Sequence, residues 1–324
     1  MTMFRRRTEP TPLVTLPTIS RGILQVCHPD WRGVRASAYA FGDPVLEASD
    51  LTELATIVST APEAPDMVVI QGWPPGAKEF VTGCAGAGIT VLAIFHSAPT
   101  QHGVDAGEAE AVSSMVALAK RGVVSRIGTV KAGLAASFAE LGIDIVHVPN
   151  RVPIVDAVIP AAVPTGPNVG VFLAPFWRKN VTTQVLAAVQ NGWRPFVMER
   201  PAVPYLASVD MVETGELSHD ALLAHQAAMD IAFNVTLSEC HPMMPMEAYR
   251  LGVPCLMSRT SDLFAGLPDL ASLTTVAEAD DPEAIARAGL RLLDHRDEAV
   301  EMANHELDRI DVESATRWDA FVAR

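Results

Sequence analysis

Glu239 and Glu247 stand eight residues apart in the stretch IAFNVTLSECHPMMPMEAYRLGVPCLMS (231–258), which carries more chemistry than any other part of the chain. Residues 231–237 read as an apolar strand that delivers Glu239 into a loop broken by Pro242. A helix is expected to open near Pro245, with Glu247 in its first turn, and to stop at Gly252. Val253-Pro254 then leads into a second apolar strand. Two carboxylates and a set of unpaired helix amides thus meet at one strand end of an α/β sheet, where such folds bind phosphorylated ligands. A second stretch, FLAPFWRKN (172–180), sets the cations Arg178 and Lys179 between a strand end and a helix start.

The carboxylate spacing is not specific in itself, because the same interval separates Glu298 from Glu306 inside what reads as a surface helix. Setting singles out the first pair: buried strand, loop, helix, second strand. In that setting the segment resembles the Glu-x7-Glu motif of GT-B retaining glycosyltransferases of family four, also called glycosyl transferases group 1. The family motif runs roughly E-G-F-G-x-x-x-x-E-A-x-A-x-G-x-P, and Glu239, Glu247, Ala248, Gly252 and Pro254 fall in register with it. Residues 172–180 are similar to the family's G-R-L-x-x-x-K-G segment. Lys179-Asn180 lies on K-G, and Ala174 stands where the family has arginine.

The resemblance implies an α/β fold of the GT-B kind, two Rossmann-like parallel-sheet domains facing across a cleft. It also implies transfer of a sugar, with retention, from a nucleotide-diphosphate sugar to an acceptor. Charge grows on the departing diphosphate, and stabilising it is the protein's largest task. Lys179 and Arg178 are expected to do so without a metal ion or other cofactor. Glu247 is expected to accept both ribose hydroxyls, while Glu239 faces the donor sugar and balances its cation-like transition state. His241 and Met243 complete the donor contacts. Catalytic roles fall to Glu239, Lys179 and His96, the last in the turn Phe95-His96-Ser97 that is similar to the family's v-H-d/g turn. Asp30, Arg32 and Gly33 resemble the acceptor-side loop that closes over the cleft. Family glycines are replaced by Cys240 and by Pro242, which has no N–H to offer a phosphate or sugar; His241 is the expected substitute donor.

Plainer readings stand beside these. A carboxylate in the first turn of a helix stabilises its dipole by roughly 0.3–1 kcal/mol, which is the alternative for Glu247. Glu239 would then be a solvated loop residue, Arg178 and Lys179 surface cations, His96 a hydrogen-bonded structural residue and Trp31 a packing side chain. Two function classes compete with transfer: a nucleotide-sugar epimerase or hydrolase on the same fold, and a non-catalytic nucleotide-sugar binder suggested by Ala174, Cys240 and Pro242. A plain α/β oxidoreductase is disfavoured for want of a strand–GxGxxG–helix unit, since Gly83–Gly88 is glycine-rich but precedes a strand instead of joining strand to helix. His219 and His225, six apart on a helix, do not share a face as metal ligands would.

Composition narrows the field further. Hydrophobic residues make up 49% of the 324 and charged residues 19%, enough apolar surface for two cores. With 24 Lys+Arg against 38 Asp+Glu the formal net charge is −14, which argues against a nucleic-acid backbone as partner. An anionic nucleotide donor needs only a few local cations. The acceptor is left open as a saccharide, lipid, natural product or protein. Four separated cysteines with no CxxC suit a reduced, cytoplasmic protein. Arg5-Arg6-Arg7 is followed by Thr8-Glu9-Pro10 in place of an apolar core, so a basic tail with at most peripheral membrane contact is expected, not a signal peptide. No apolar run is long enough to span a bilayer.

Alternating strand-like and helix-like segments position these residues. Strands are expected at 23–27, 66–70, 90–95, 123–124 and 145–148, with helices at 79–87, 109–120 and 130–141. Pro149-Asn150-Arg151-Val152-Pro153 breaks the pattern. It resembles the family's P-N-G-V-D crossing between domains, with Arg151 in place of glycine. The boundary is therefore set at 155/156: an acceptor-binding domain over 1–155 and a nucleotide-sugar-binding domain over 156–324. The second half restarts with strands at 169–173, 195–198, 231–237 and 274–276 and helices at 182–189, 218–229 and 282–293. The final helix, with Trp318 and Phe321, resembles one that packs back on the first domain.

Overall fold

A computed structural model describes residues 16–19 and 21–323. The expected basic tail at Arg5-Arg6-Arg7 lies outside the described residues. Apolar runs become strands and capped amphipathic runs become helices. In the first half β1 (Ile23–Cys27) leads to α1 (Arg32–Ala40), β2 (Val45–Glu47), α2 (Leu54–Ser59) and β3 (Met67–Gln71). There follow α3 (Ala77–Gly86), β4 (Thr90–Phe95), α4 (Pro99–Val104), α5 (Ala106–Lys120), β5 (Arg126–Thr129), α6 (Leu134–Glu140) and β6 (Ile145–His147). The second half runs through β7 (Asn168–Val171), α7 (Val181–Gln190), β8 (Arg194–Val197), β9 (Val212–Glu213), α8 (His219–Ala227) and β10 (Ile231–Asn234). It ends with α9 (Met243–Arg250), β11 (Cys255–Ser258), α10 (Pro268–Thr274), β12 (Thr275–Val276), α11 (Pro282–Asp294) and α12 (Arg296–Val322).

Among the described residues the strands form two wholly parallel six-stranded sheets, β2-β1-β3-β4-β5-β6 and β12-β11-β10-β7-β8-β9. Every residue of β1, β3, β7, β10 and β11 is buried, as a parallel sheet covered on both faces requires. The second sheet, read from β9, has the doubly wound order 3-2-1-4-5-6. The direction of winding, not of the strands, reverses between β7 and β10 there, and between β1 and β3 in the first sheet. Crevices open at the carboxyl ends of such strands.

Several expected elements shift. α9 opens at Met243, two residues before Pro245, so Glu247 lies beyond the first turn and helix-dipole capping does not describe it. Pro245 then occupies the third helical position and offers no N–H. The first-turn donors reduce to the amides of Met243, Met244 and Met246. The strand expected at Val123-Val124 forms instead at β5, because Gly122 turns left-handed (φ 72°) and 123–125 serve as the approach. Val130 is buried on the chain leaving β5, and α6 starts only at Leu134. β2, β9, α1, α2, α4 and α10 were not expected; with two to nine residues each they are too short to show a clear period.

α12 ties the halves together. Its Ala303, Leu307 and Ile310 join the core under α9 and α10, and its Trp318 and Phe321 join residues of the first sheet such as Met67, Val69 and Leu92. Trp318 stacks on Phe41 at 4.0 Å and donates its indole N–H to Asp43 Oδ2 at 3.0 Å. Arg151, where the similar family has glycine, forks onto Asp311 of α12 through Nε at 2.9 Å and Nη2 at 2.6 Å; the same carboxylate accepts the Val152 amide. A bidentate charged pair is stronger than a single surface contact, though both groups keep some solvent. Asp311→Ala is therefore expected to lower the apparent melting midpoint by about 2–6 °C. A melt unchanged within 1 °C would show that the fork adds nothing. Among the described residues no helix is long and apolar enough to cross a membrane, and all four cysteines are free and buried.

Candidate functional site

The sheets face one another across a cleft of about 1890 Å³. Asp30, Arg32, Gly33, His96, Arg178, Lys179, Glu239, His241, Met243 and Glu247 all line it. Each comes from the carboxyl end of a strand or the helix start that follows. β1 delivers 30–33, β4 delivers His96, β7 delivers Arg178 and Lys179, and β10 delivers Glu239 and the start of α9.

Lys179 and Glu239 meet directly across the β7/β10 crevice, Nζ to Oε2 at 2.6 Å. Burial by itself would raise the Glu239 pKa. The Lys179 charge and hydrogen bond, then the Arg178 charge and the Cys240 amide, outweigh it and hold the carboxyl below its ordinary value. Asn180 explains why the chain can depart from glycine after Lys179. Its φ is 55°, a left-handed value that asparagine tolerates better than other side chains, and it is the non-glycine residue with positive φ among the described residues. Its amide donates to the Val235 and Ala279 carbonyls, fastening the Lys179 turn to β10. Arg178 has no ion-pair partner among the described residues.

Glu247 is 3% exposed on α9. Burial pushes its pKa up to about 7. The nearest cation candidate is His219 Nε2 at 3.8 Å, whose own pKa burial lowers. Glu247 is thus a buried carboxyl with no full charge to answer it. His241 is also held neutral: burial, then His147 and Lys131, push its pKa down to about 3, and its Nδ1 has no partner among the described residues. Its carbonyl accepts from Asn150 Nδ2 at 2.6 Å. The Met243 side chain packs into the core, and its amide is one of those that open α9. Arg32 and Gly33 do not belong to a loop; they open α1, and Arg32 reaches across the cleft to Glu216 at 2.8 Å.

His96 ends a buried hydrogen-bond chain. Gln25 Nε2 donates to the Ala38 carbonyl, Gln71 Nε2 donates to Gln25 Oε1, and His96 Nε2–H donates to Gln71 Oε1 at 2.8 Å. The polarity of that chain leaves Nδ1 as the acceptor. Burial lowers the His96 pKa to about 4, so the ring is neutral at pH 7. Cys240, where glycine was expected, donates its S–H to the His96 carbonyl at 3.2 Å, joining the Glu239 loop to the opposite sheet.

Sequence reasoning passed over Gln25, Gln71, Asn150 and Asn234. The signal was present: a glutamine or asparagine inside an apolar strand run must find a partner. Asn150 binds three elements at once, accepting Ser37 Oγ–H of α1 and Ser314 Oγ–H of α12 while donating to His241. Asn234, 1% exposed at the end of β10, lines the cleft with Nδ2 unpartnered among the described residues. No group of three or more His, Cys, Asp or Glu suited to a metal occurs among the described residues.

No protein-family model and no curated protein sequence matches the chain. Solved structures do resemble it. HepE of Anabaena in complex with UDP and glucose superposes with a TM-score of 0.65 at 13% identity, covering 92% of this chain and 99% of that one. The UDP-forming α,α-trehalose-phosphate synthase of Burkholderia xenovorans in complex with glucose-6-phosphate gives 0.64 at 10% identity, covering 92% and 98%. Sucrose-phosphate synthase of Thermosynechococcus elongatus gives 0.60 at 13%, covering 92% and 96%. The likeness is one of fold, and the fold is GT-B.

Proposed function

We propose that the chain is a glycosyltransferase that moves a sugar from a nucleotide-diphosphate sugar, a UDP-sugar in the first instance, to a hydroxyl acceptor. The observation that carries the reading is the 2.6 Å Lys179–Glu239 pair at the β7/β10 crevice, in one cleft with Arg178, Glu247 and His96. Neighbours of the same fold that hold UDP, glucose or glucose-6-phosphate support the class of ligand.

In this reading Lys179 and Arg178 meet the pyrophosphate, and the amides opening α9 add partial positive charge. One of the three ammonium hydrogens of Lys179 serves Glu239, leaving two for phosphate oxygens. Glu247 accepts the ribose hydroxyls, and Asn234 Nδ2 supplies a donor to the donor sugar or phosphate. Glu239, kept ionised by Lys179, balances the positive charge that develops at the anomeric carbon. The bond from that carbon to the phosphate oxygen breaks as the acceptor oxygen bonds to it. The acceptor bonds on the same face that the phosphate leaves and passes its proton to the departing phosphate oxygen, so configuration is retained without a protein nucleophile. The scheme asks for no metal ion, since the leaving charge is met by the chain's own cations and amides.

Calorimetric titration with UDP-glucose and GDP-mannose, followed by nucleoside diphosphate release in a mixed saccharide pool, tests the reading. Binding of neither sugar nucleotide would sink it, and binding without any release would leave a carrier, not a transferase. The pH dependence adds a sharper expectation. An ionised Glu247 is required to accept two hydroxyls, and its folded pKa of about 7 lies above its ordinary 4.5. Affinity for UDP-glucose, whose diphosphate diester does not titrate in this range, should rise about tenfold from pH 6 to pH 8. The free protein should move the opposite way: the folded state holds the proton more tightly, so stability falls as pH rises from about 4.5 to about 7. Glu247→Gln should flatten both curves; equal slopes in the two proteins would remove Glu247 from the ribose site.

A further inference from the structure

The two walls of the cleft differ in chemistry. The wall built from the second sheet carries the cations Arg178 and Lys179, while the wall built from the first is acidic and aromatic. Asp30, Glu47, Glu79, Asp105, Glu108 and Glu110 line that first wall. Its cations are Arg32, Arg35, Lys78 and Arg151, and three of them are committed, Arg151 to Asp311 of α12. Arg32 pairs with Glu216 at 2.8 Å and Arg35 with Glu47 at 3.5 Å. Lys78 is left as the cation of that wall with no ion-pair partner among the described residues.

Exposed aromatic side chains stand on both walls, Trp31 and Tyr39 on the first and Phe176 and Trp177 on the second beside Arg178. Trp31, Tyr39, Phe176 and Trp177 are 36%, 54%, 60% and 56% exposed, and all four line the cleft. Trp31 is held in a built seat. Its ring stacks on His28 at 5.0 Å with 19° between the planes. Beneath it lies Gly72, with φ 76°, where an added Cβ would come within 2.7 Å of the Trp31 ring. A side chain at 72 would collide with the indole, so glycine there is what lets Trp31 sit at the end of β3.

We infer that the first wall takes an uncharged acceptor with a flat apolar face, a pyranose or aryl ring laid on Trp31, and that it excludes phosphorylated and carboxylated acceptors. The inference rests on the transferase reading above for its place in the reaction, and names the acceptor class that reading left open. A phosphate monoester recruits two or more charge-assisted donors in its binding sites. On this wall it would face five carboxylates that pair with none of its arginines or lysines among the described residues, and one uncommitted ammonium. Flat rings gain from an indole face instead, and the hydroxyls at their rim find carboxylate acceptors around them. On this inference the chain disfavours the kind of ligand, glucose-6-phosphate, that its fold neighbour holds.

The test titrates glucose, 4-nitrophenyl β-D-glucoside and glucose-6-phosphate against the full chain, with and without UDP. The two neutral probes are expected to bind at least about tenfold more tightly than glucose-6-phosphate, with the aryl glucoside ahead where the flat face is aromatic. Trp31→Ala should weaken the neutral probes about tenfold, while UDP affinity, read in parallel, reports on the donor reading alone. Glucose-6-phosphate binding as tightly as the neutral probes would overturn the inference. So would neutral probes that fail to bind, or that bind the variant unchanged. The wild-type ranking needs no variant and stands if Trp31→Ala does not fold.

Discussion

Lys179→Ala is expected to lower turnover by about 10²–10³-fold, the usual effect of removing a group aimed at the leaving charge, and to weaken UDP-sugar binding as well. The reasoning starts from the 2.6 Å contact with Glu239. Without the ammonium, the pyrophosphate loses a direct partner. Glu239 is also left almost buried without its strongest counter-charge, so its pKa climbs and it stops balancing the sugar cation. Two terms fall together, and for that reason the effect exceeds that of Glu239→Ala. The latter variant keeps Lys179 free for phosphate and should lose turnover while holding UDP. Kinetics and calorimetry on the two variants separate the roles. A Lys179→Ala protein that retains a third of wild-type turnover would remove the pair from the reaction.

Trp318→Ala should destabilise the protein by about 3–5 kcal/mol, lowering the apparent midpoint by about 10 °C. The side chain is 2% exposed, stacked on Phe41, and bonded to Asp43. Its removal opens a cavity between α12 and the first sheet and strands a buried carboxylate oxygen. Trp318→Phe divides the contributions, because it retains a stacking ring while losing the indole N–H and only part of the buried volume; a smaller cost of about 1–3 kcal/mol is expected there. The consequence reaches the cleft. α12 also holds Asn150 through Ser314, and Asn150 holds the His241 carbonyl beside Glu239. A thermal melt of Trp318→Ala within 2 °C of wild type would contradict this account of how the two sheets are kept in register.

Much of the site was legible before any coordinates. The strand at Thr90–Phe95 ends one residue before His96, and Asp281 caps the helix that Pro282 opens, since apolar run length and capping residues act over a few positions. The helix start at Met243 was misplaced by two residues because Pro245 suits the first turn wherever within it the helix begins. Gln25 and Gln71 sat in plain view as polar residues in apolar strands, yet nothing local pairs them, because their partner sits 46 residues away on the neighbouring strand.

By itself, then, the sequence determined most of the longer strands and helices and which residues lie at their strand ends, because period, length and caps are local properties of the chain. Tertiary structure alone decided who meets whom. The order β7 beside β10 brings Lys179 to Glu239, the order β1 beside β3 brings Trp31 over Gly72, and the facing of the sheets brings Cys240 to the His96 carbonyl. Hydrophobic alternation marks the face a residue takes but not its neighbouring strand, so these encounters emerge only when the sheets are assembled and packed.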